Sequence, residues 1–227
     1  MTQNHYNLIV VAHPDDESLF FAGLVLQKRQ IPWHVVCVTD ANADGRGDER
    51  RDQFALAMQE LGVNDWQWLG LPDVYEKRLD LSVIISMLAD RQTPQSVYTH
   101  GPTGEYMHPH HQDVSMAVHR LWAEKLPVYS VAYNCRAEQT ICLSAAHYAK
   151  KCQILGQIYG QETIRFANFL PAGFCEGFSR ISLSEVQAIY RRLSGQSASL
   201  AGVELPFYEW LRFFLEQRAS QGNPRPF

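Results

Sequence analysis

The chain has 227 residues, of which 46% are hydrophobic and 19% are charged, which is typical of a globular protein with one large α/β core. The net charge is −4 and no run of lysine or arginine occurs, which argues against a nucleic-acid partner. The first five residues lack the charged and apolar regions of a signal peptide, and no apolar run is long enough to span a bilayer, so we expect no integral membrane segment.

Strand-like and helix-like segments alternate through the first half of the chain. Short apolar runs predict strands, and longer periodic segments that end in capping residues predict helices. The predicted strands are residues 8–12, 33–39, 66–69, 96–99 and 128–133. The predicted helices are residues 18–30, 48–61, 82–91, 112–124 and 145–159. This alternation predicts βαβ units and a mostly parallel sheet.

After about residue 135 the alternation weakens. Residues 184–193 and 206–217 look helical, and loops rich in glycine, serine and proline lie between them. We therefore expect one catalytic domain over residues 1–227, with a C-terminal elaboration over roughly residues 135–227.

One polar motif stands directly after the first predicted strand: His13-Pro14-Asp15-Asp16-Glu17. Ligands of open parallel sheets bind beyond the carboxyl ends of the strands, where this motif lies. His13 and Asp16 are three residues apart across a tight turn, so both could reach one cation, which leaves Asp15 to act on a bound water. The alternative is an aspartate helix cap beside an incidental histidine, which the full motif after a buried strand disfavours.

A second histidine motif follows the fourth predicted strand: Tyr106-Met107-His108-Pro109-His110-His111. Taken alone, it could equally be a surface histidine cluster in a loop. Together with the first motif it offers two histidines and one carboxylate, a ligand set that suits a catalytic zinc with one position left for water.

The two motifs resemble those of the zinc-dependent sugar de-N-acetylases, the LmbE-like and PIG-L-like proteins, over about the first 115 residues. The resemblance implies a Rossmann-like three-layer α/β sandwich and a hydrolase that removes the N-acetyl group from an N-acetylglucosamine-type conjugate. It further implies that three residues bind the metal and three act in catalysis. The implied metal ligands are His13, Asp16 and His111; the implied catalytic residues are Asp15 as general base, His108 for the oxyanion or the leaving group, and Tyr106 for the tetrahedral intermediate.

The resemblance also marks two substrate-side positions and one departure. Arg50 aligns with an arginine that contacts the aglycone side of the substrate, or it lies on a solvated helix face. Asp73 aligns with an aspartate that binds sugar hydroxyls, or it is an ordinary turn residue. His110 stands where the family commonly has Asp or Gln, so either Glu105 or Asp113 holds His108, or the pKa of His108 is lower than in relatives that carry Asp.

Zinc is the expected cofactor, although iron(II) and cobalt(II) suit the same ligands. The expected partner is a small amino-sugar conjugate whose aglycone the sequence does not identify. The alternatives are a metal-dependent amidase for another small N-acyl substrate and a non-catalytic metal-binding or sugar-binding protein. The last is disfavoured because Asp15, His108 and Tyr106 occur as a set. The oligomeric state, including a homo-oligomer, stays open.

Two further features complete the sequence-based expectations. The cysteines are odd in number and irregularly spaced, which predicts free thiols and a cytoplasmic protein; they are Cys37, Cys135, Cys142, Cys152 and Cys175. Residues 204–215 are rich in aromatic side chains, and we expect their apolar face to pack on the chain's own core rather than to form a subunit interface or a pocket wall.

Overall fold

The computed structural model of the chain describes residues 6–74, 77–164, 173–197 and 199–218. Residues 1–5, on which the signal-peptide argument rests, and residues 219–227 of the expected C-terminal elaboration lie outside the described residues. The strands of the described part are β1 (Asn7–Val11), β2 (Trp33–Thr39), β3 (Asp65–Leu71), β4 (Ser96–Thr99), β5 (Val128–Val131), β6 (Gln139–Cys142) and β7 (Cys175–Ser179).

The helices follow the predicted alternation as far as β5. They are α1 (Asp16–Gln27), α2 (Gly47–Leu61), α3 (Leu81–Ala89), α4 (Pro109–Trp122), α5 (Ala145–Gln157), α6 (Gly160–Thr163), α7 (Leu183–Leu193) and α8 (Arg212–Arg218), with a short 3-10 helix at Glu209–Leu211 before α8. Local sequence determines where several helices begin and end. Helix α2 ends at Gly62, which has a φ of 75°, a value that glycine adopts without steric strain. Helix α4 begins with Pro109 in its first turn.

The strands form one seven-stranded sheet in the order β3-β2-β1-β4-β5-β7-β6. β1 pairs in parallel with β2 on one side and with β4 on the other, and β3 and β5 extend the parallel part. β7 pairs antiparallel with both β5 and β6. The strands that follow β1 are therefore added on one side of it as far as β3 and on its other side from β4 onward. Such a topological switch point between β1 and β4 opens a crevice at the carboxyl ends of those strands.

Helices cover both faces of the sheet, which confirms the predicted three-layer α/β architecture. Alternate residues of β1 point to opposite faces: Ile9 packs in a cluster with Leu19 of α1 and Phe54 of α2, whereas Leu8 packs in a second cluster with Val114 of α4. All four apolar residues of β1 are buried, as expected of a central parallel strand.

All five predicted strands are confirmed, but β6 and β7 were not predicted. Their sequences, Gln-Thr-Ile-Cys and Cys-Glu-Gly-Phe-Ser, contain no apolar run and alternate weakly. They become strands because they pair with each other and with β5, which is a tertiary effect that a local pattern does not report.

The prediction of five free cysteines is wrong for one pair. Cys142 and Cys175 lie directly opposite in the antiparallel register of β6 and β7, with Cα atoms 4.1 Å apart, and they form a disulfide. Cys37, Cys135 and Cys152 are free thiols, as predicted. The pair could not be recognised from the sequence because neither strand was, and the cysteine pattern no longer argues for a reducing compartment.

No helix within the described residues combines the length and hydropathy needed to cross a bilayer.

The aromatic C-terminal segment packs on the chain's own core, in a third cluster beside α4 and α7. Leu205, Tyr208 and Leu215 are at most 2% exposed, whereas Trp210 and Phe213 are 67% and 76% exposed. The packing that we predicted for this segment is therefore confirmed for its buried side chains.

Two alanine substitutions in α8 should separate the buried from the exposed face. Leu215→Ala should lower the free energy of unfolding by about 2–5 kcal/mol, because it leaves a cavity in the third cluster. Phe213→Ala, on the same short helix, should change it by no more than about 0.5 kcal/mol. Chemical denaturation of both variants measures the difference, and equal effects would show that α8 does not pack as described.

Candidate active site

The turn between β1 and α1 places three acidic residues and a histidine in the crevice. Asp15 precedes α1 with φ at 100°, a region that residues other than glycine rarely adopt. Its carboxylate makes no capping hydrogen bond. The alternative interpretation of this motif as a simple helix cap therefore fails, and the unusual backbone is of the kind found at functional sites.

The loop between β4 and α4 brings the second motif to the same edge. Gly104 has φ at 70°, and a Cβ atom there would collide with the carbonyl oxygen of His108. Glu105 and Met107 also have positive φ, at 52° and 73°. The amide of His108 donates to the carbonyl of Gly104 at 3.0 Å. This tight turn directs the histidines at the start of α4 toward β1.

Three side chains from the two motifs converge on one point. His13 Nδ1 lies 3.2 Å from His111 Nε2, and Asp16 Oδ2 lies 3.4 Å from each of these two nitrogens. The side chains of Asp16 and His111 are fully buried, and His13 is 8% exposed.

These separations match the edges of a metal coordination tetrahedron. Donor atoms about 2.0–2.1 Å from a tetrahedral zinc lie about 3.3–3.4 Å from one another. Asp16 Oδ1 is buried and has no hydrogen-bond partner among the described residues, so the carboxylate has an acceptor to spare. Burial also lowers the pKa of His111, to about 4, which favours the neutral ring that a metal requires.

Two other groups of metal-type side chains lie beside this one in the described part of the chain. In the group His100–Glu105–His111, Glu105 Oε2 is 3.0 Å from His100 Nδ1 and 2.6 Å from His111 Nδ1. Those are hydrogen-bond lengths, so protons join these residues. In the group His13–His108–His110, His108 Nδ1 already accepts a hydrogen bond from the backbone amide of His110. Of the three groups, the trio His13–Asp16–His111 is the one whose carboxylate keeps a buried oxygen without a partner among the described residues.

Glu105 orients His111 from behind. Because the carboxylate accepts the proton on His111 Nδ1, the lone pair of that ring is on Nε2, which faces His13 and Asp16. From the sequence we expected Glu105 or Asp113 to hold His108, whereas in the structure Glu105 binds His111 and His100. Asp113, the other candidate, binds Arg78 and the backbone amide of Leu79.

His100 is a site residue that the sequence analysis missed. Its ring stacks on His111 with centroids 3.9 Å apart, and its Nε2, which accepts the backbone amide hydrogen of Ala12 at 2.9 Å, lies 3.4 Å from Asp16 Oδ2. Its Nδ1 therefore carries the proton that Glu105 accepts at 3.0 Å. Its place immediately after the strand beside β1 was the available signal, because both strands end at the switch point.

Asp15 lies beside the trio, and its chemistry differs from that of Asp16. Burial raises the pKa of Asp15 to about 8, although Arg50 opposes the shift. Arg50 is buried, and its guanidinium lies 2.7 Å from the carbonyl oxygen of Pro14 and 3.4 Å from Asp15 Oδ2. Desolvation is therefore the largest influence on the pKa of this carboxyl group.

The remaining predicted site residues also lie at this edge. The rings of Tyr106 and His108 are 5.3 Å and 4.6 Å from that of His111. Burial, reinforced by the charges of His13, His111 and His110, lowers the pKa of His108 well below its usual value. Asp73 Oδ1 is 3.3 Å from His110 Nδ1 and 3.7 Å from His13 Nε2. The structure therefore brings together every side chain that the sequence analysis selected.

Residues 8–122 match the protein family described as "PIG-L: GlcNAc-PI de-N-acetylase". The chain is 27% identical over 128 residues to the N-acetylglucosaminyl-phosphatidylinositol de-N-acetylase of Saccharomyces cerevisiae, with 50% of this chain and 42% of that protein covered. It is 31% identical over 130 residues to a probable N-acetyl-alpha-D-glucosaminyl L-malate deacetylase 2 of Bacillus subtilis, with 50% and 58% covered. The chain thus spans about half the length of these relatives.

Solved structures share the fold. A deacetylase triple mutant from the teicoplanin biosynthetic pathway aligns with a TM-score of 0.59 and 19% identity over 77% of this chain and 98% of that one. The 4-carboxy-2-hydroxymuconate hydratase of Pseudomonas putida aligns with a TM-score of 0.51 and 18% identity, over 77% and 95%. Because these two proteins have different activities, the fold alone does not identify the reaction.

The buried carboxylate of Glu105 predicts a loss of stability in acid for the metal-free protein. Despite burial, His100 and His111 lower the pKa of Glu105 to about 2, so its contribution is complete above about pH 4.5 and is lost as the pH falls toward 2. The contribution of Glu105 to the free energy of unfolding should therefore disappear between about pH 4.5 and 2.

The isosteric variant Glu105→Gln provides the control. It should cost about 1–3 kcal/mol at pH 6, because it removes the charged acceptor that two buried imidazole N–H groups share. It should also flatten the loss of stability between about pH 4.5 and 2, since the amide side chain has no carboxylate to protonate. Urea denaturation across this range measures both effects, and a variant with the wild-type pH profile would refute the pairing.

Proposed function

The chain belongs to the PIG-L family of GlcNAc-PI de-N-acetylases, and on this premise we propose that it removes the N-acetyl group from an N-acetylglucosamine-type conjugate. The observation that carries the proposal is the trio of donor atoms on His13, Asp16 and His111, 3.2–3.4 Å apart and buried beside a carboxylate of raised pKa. Amide hydrolysis needs an activated water and a proton for the leaving amine, and this arrangement has a candidate for each need.

The trio would hold the metal, through His13 Nδ1, Asp16 Oδ2 and His111 Nε2. When bound, zinc supplies a Lewis acid that polarises the amide carbonyl and lowers the pKa of a bound water to about 7. Two imidazoles and one carboxylate are a ligand set for catalytic zinc, and iron(II) or cobalt(II) would accept the same donors. The proposed metal centre uses side chains from both sides of the switch point.

We assign the general base to Asp15. A base acts best when its pKa lies near the working pH, and burial raises the pKa of Asp15 to about 8. Arg50 contacts one oxygen of this carboxylate and fixes its orientation. Asp15 would take a proton from the attacking water and later give it to the nitrogen of the leaving amine, which balances the protons over the reaction.

His108 and Tyr106 are proposed to meet the negative charge that develops on the carbonyl oxygen. His108 Nδ1 accepts the amide hydrogen of His110, so the neutral ring carries its proton on Nε2 and can donate it in a hydrogen bond. The lowered pKa of His108 favours that neutral form. Such an oxyanion donor is typically worth about 3–4 kcal/mol of barrier.

The substrate side rests on Asp73, with Arg50 as a second predicted contact. Asp73 is a partly buried carboxylate at the mouth of the site, and it could bind a sugar hydroxyl. Arg50 already contacts the carboxylate of Asp15, so a contact between Arg50 and the substrate would be a second role for this residue. The relatives are named for different aglycones joined to the same sugar, so we propose the sugar and leave the aglycone open.

We further propose that the described chain works as one catalytic domain, to which the C-terminal elaboration contributes. Tyr208 is fully buried, and a Cβ atom built on Gly101 would lie 3.3 Å from its hydroxyl. Gly101 in turn donates its amide hydrogen to Glu105, the residue that orients His111. The C-terminal segment thereby supports the loop behind the proposed metal ligands.

The division of labour between the two neighbouring aspartates can be tested directly. Asp15→Asn should lower acetate release from N-acetylglucosamine conjugates by about 10²–10⁴-fold, the usual contribution of a general base, while zinc stays bound. Asp16→Asn should instead lower the zinc content of the purified protein. Acetate assays with zinc analysis of both variants provide the measurement, and near wild-type turnover in Asp15→Asn would overturn the assignment of the base.

A further inference from the structure

His110 is the one histidine of the second motif for which the proposed reaction has no task, and it is fully buried beside His13. We infer that His110 is a positioning residue which, with Asp73, fixes the ring orientation and the tautomer of His13, so that Nδ1 of His13 faces Asp16 and His111. The inference rests on the proposed function, because it assumes that His13 binds the metal.

The contacts of His110 define which of its nitrogens carries the proton. Its Nε2 lies 3.0 Å from the carbonyl oxygen of Lys77 and 3.2 Å from that of Val74. Carbonyl oxygens only accept hydrogen bonds, so Nε2 must be the donor. In the neutral ring, Nδ1 then carries the lone pair. This atom lies 3.3 Å from both His13 Nε2 and Asp73 Oδ1, and because the carboxylate oxygen also only accepts, His13 Nε2 supplies the proton that the two acceptors share.

The tautomer of His13 can be assigned in the same way. Its Nδ1 points at the other two proposed ligands, so a metal there needs the lone pair on Nδ1 and the proton on Nε2. Two acceptors face that proton: His110 Nδ1 at 3.3 Å and Asp73 Oδ1 at 3.7 Å. Partners of this kind on the far side of a metal-binding imidazole fix its tautomer and its ring orientation.

The acceptors are themselves held in place. Asp113, which is fully buried on α4, accepts the amide hydrogen of Leu79 at 2.9 Å and a hydrogen bond from Arg78 at 3.1 Å. Arg78 also binds the carbonyl oxygen of Pro109 at 2.9 Å. At the other end of the loop, the amide of Asp73 donates to Asp40 at 2.8 Å. Asp73 is thus fastened to the residue that follows β2, and Arg78 and Leu79, which follow Lys77, are fastened to α4.

Three variants separate positioning from general stability. His110→Leu removes the acceptor, and His110→Asn restores an oxygen near the position of Nδ1. His119→Leu removes another fully buried histidine of α4, which lies about two turns beyond His111 and whose Nδ1 donates to the carbonyl oxygen of Ser115. Each is compared with the wild type in two measurements. Zinc affinity is measured by competition with a chromophoric chelator, and the tautomer of His13 is read from ¹⁵N–¹H spectra of the zinc-loaded protein.

We expect His110→Leu to weaken zinc binding by about 10–100-fold, the usual effect of losing such a partner. We also expect it to shift or broaden the Nε2–H signal of His13. His110→Asn should recover most of the affinity, and His119→Leu should bind zinc like the wild type, even if it melts at a lower temperature.

Two results would contradict the account in different ways. If His110→Leu binds zinc as tightly as the wild type and keeps the His13 signal, or if His119→Leu loses as much affinity, the positioning role is wrong while the metal centre stands. If the wild type itself binds no zinc at these residues, the proposed metal centre fails, and the positioning role fails with it.

Discussion

The buried carboxylate of Asp16 is the constraint on which the site depends. It is fully buried, and burying a lone charge is prohibitive unless the charge is paired and hydrogen-bonded. Three histidine rings approach its Oδ2 atom at 3.4 Å, and the backbone amide of His13 donates to it at 2.8 Å. Burial would raise the pKa of Asp16, but His111 and His100 hold it well below its usual value. His111 of the second motif and His100, which follows β4, are therefore needed to keep Asp16 of the first motif charged.

This arrangement shifts the pKa values of two neighbouring aspartates in opposite directions. Asp15 and Asp16 are both buried, yet the histidines surround only Asp16, whereas Asp15 has Arg50 on one side and the charges of Asp16 and Glu17 on the other. The pKa of Asp15 is raised to about 8, while that of Asp16 is lowered. Titratable groups whose pKa values are driven apart by their surroundings are typical of acid–base catalysis. The charged carboxylate of Asp16 is therefore suited to bind a metal, and the carboxyl group of Asp15 is suited to accept and donate a proton.

The sequence predicts those features whose cause is local. The apolar run of β1 and the motif after it identify the edge of the sheet and most of the site, because strand, turn and helix follow one another along the chain. The roles of His100 and Glu105 depend on β4 lying next to β1, which no single segment reports. The same holds for the Cys142–Cys175 disulfide, which requires the register of two strands that lack a strand-like pattern. From the sequence we singled out His110, but its contacts with His13, Asp73 and the carbonyl groups of Val74 and Lys77 depend on tertiary packing.

The measurement that tests the central claim most directly is zinc K-edge X-ray absorption of the zinc-loaded protein. The account predicts a four-coordinate centre with only nitrogen and oxygen donors at about 2.0–2.1 Å, of which two are imidazoles. A spectrum with three imidazoles would place the metal among His13, His108 and His110 instead. A sulfur donor at about 2.3 Å would contradict the account altogether, because no cysteine belongs to the proposed centre.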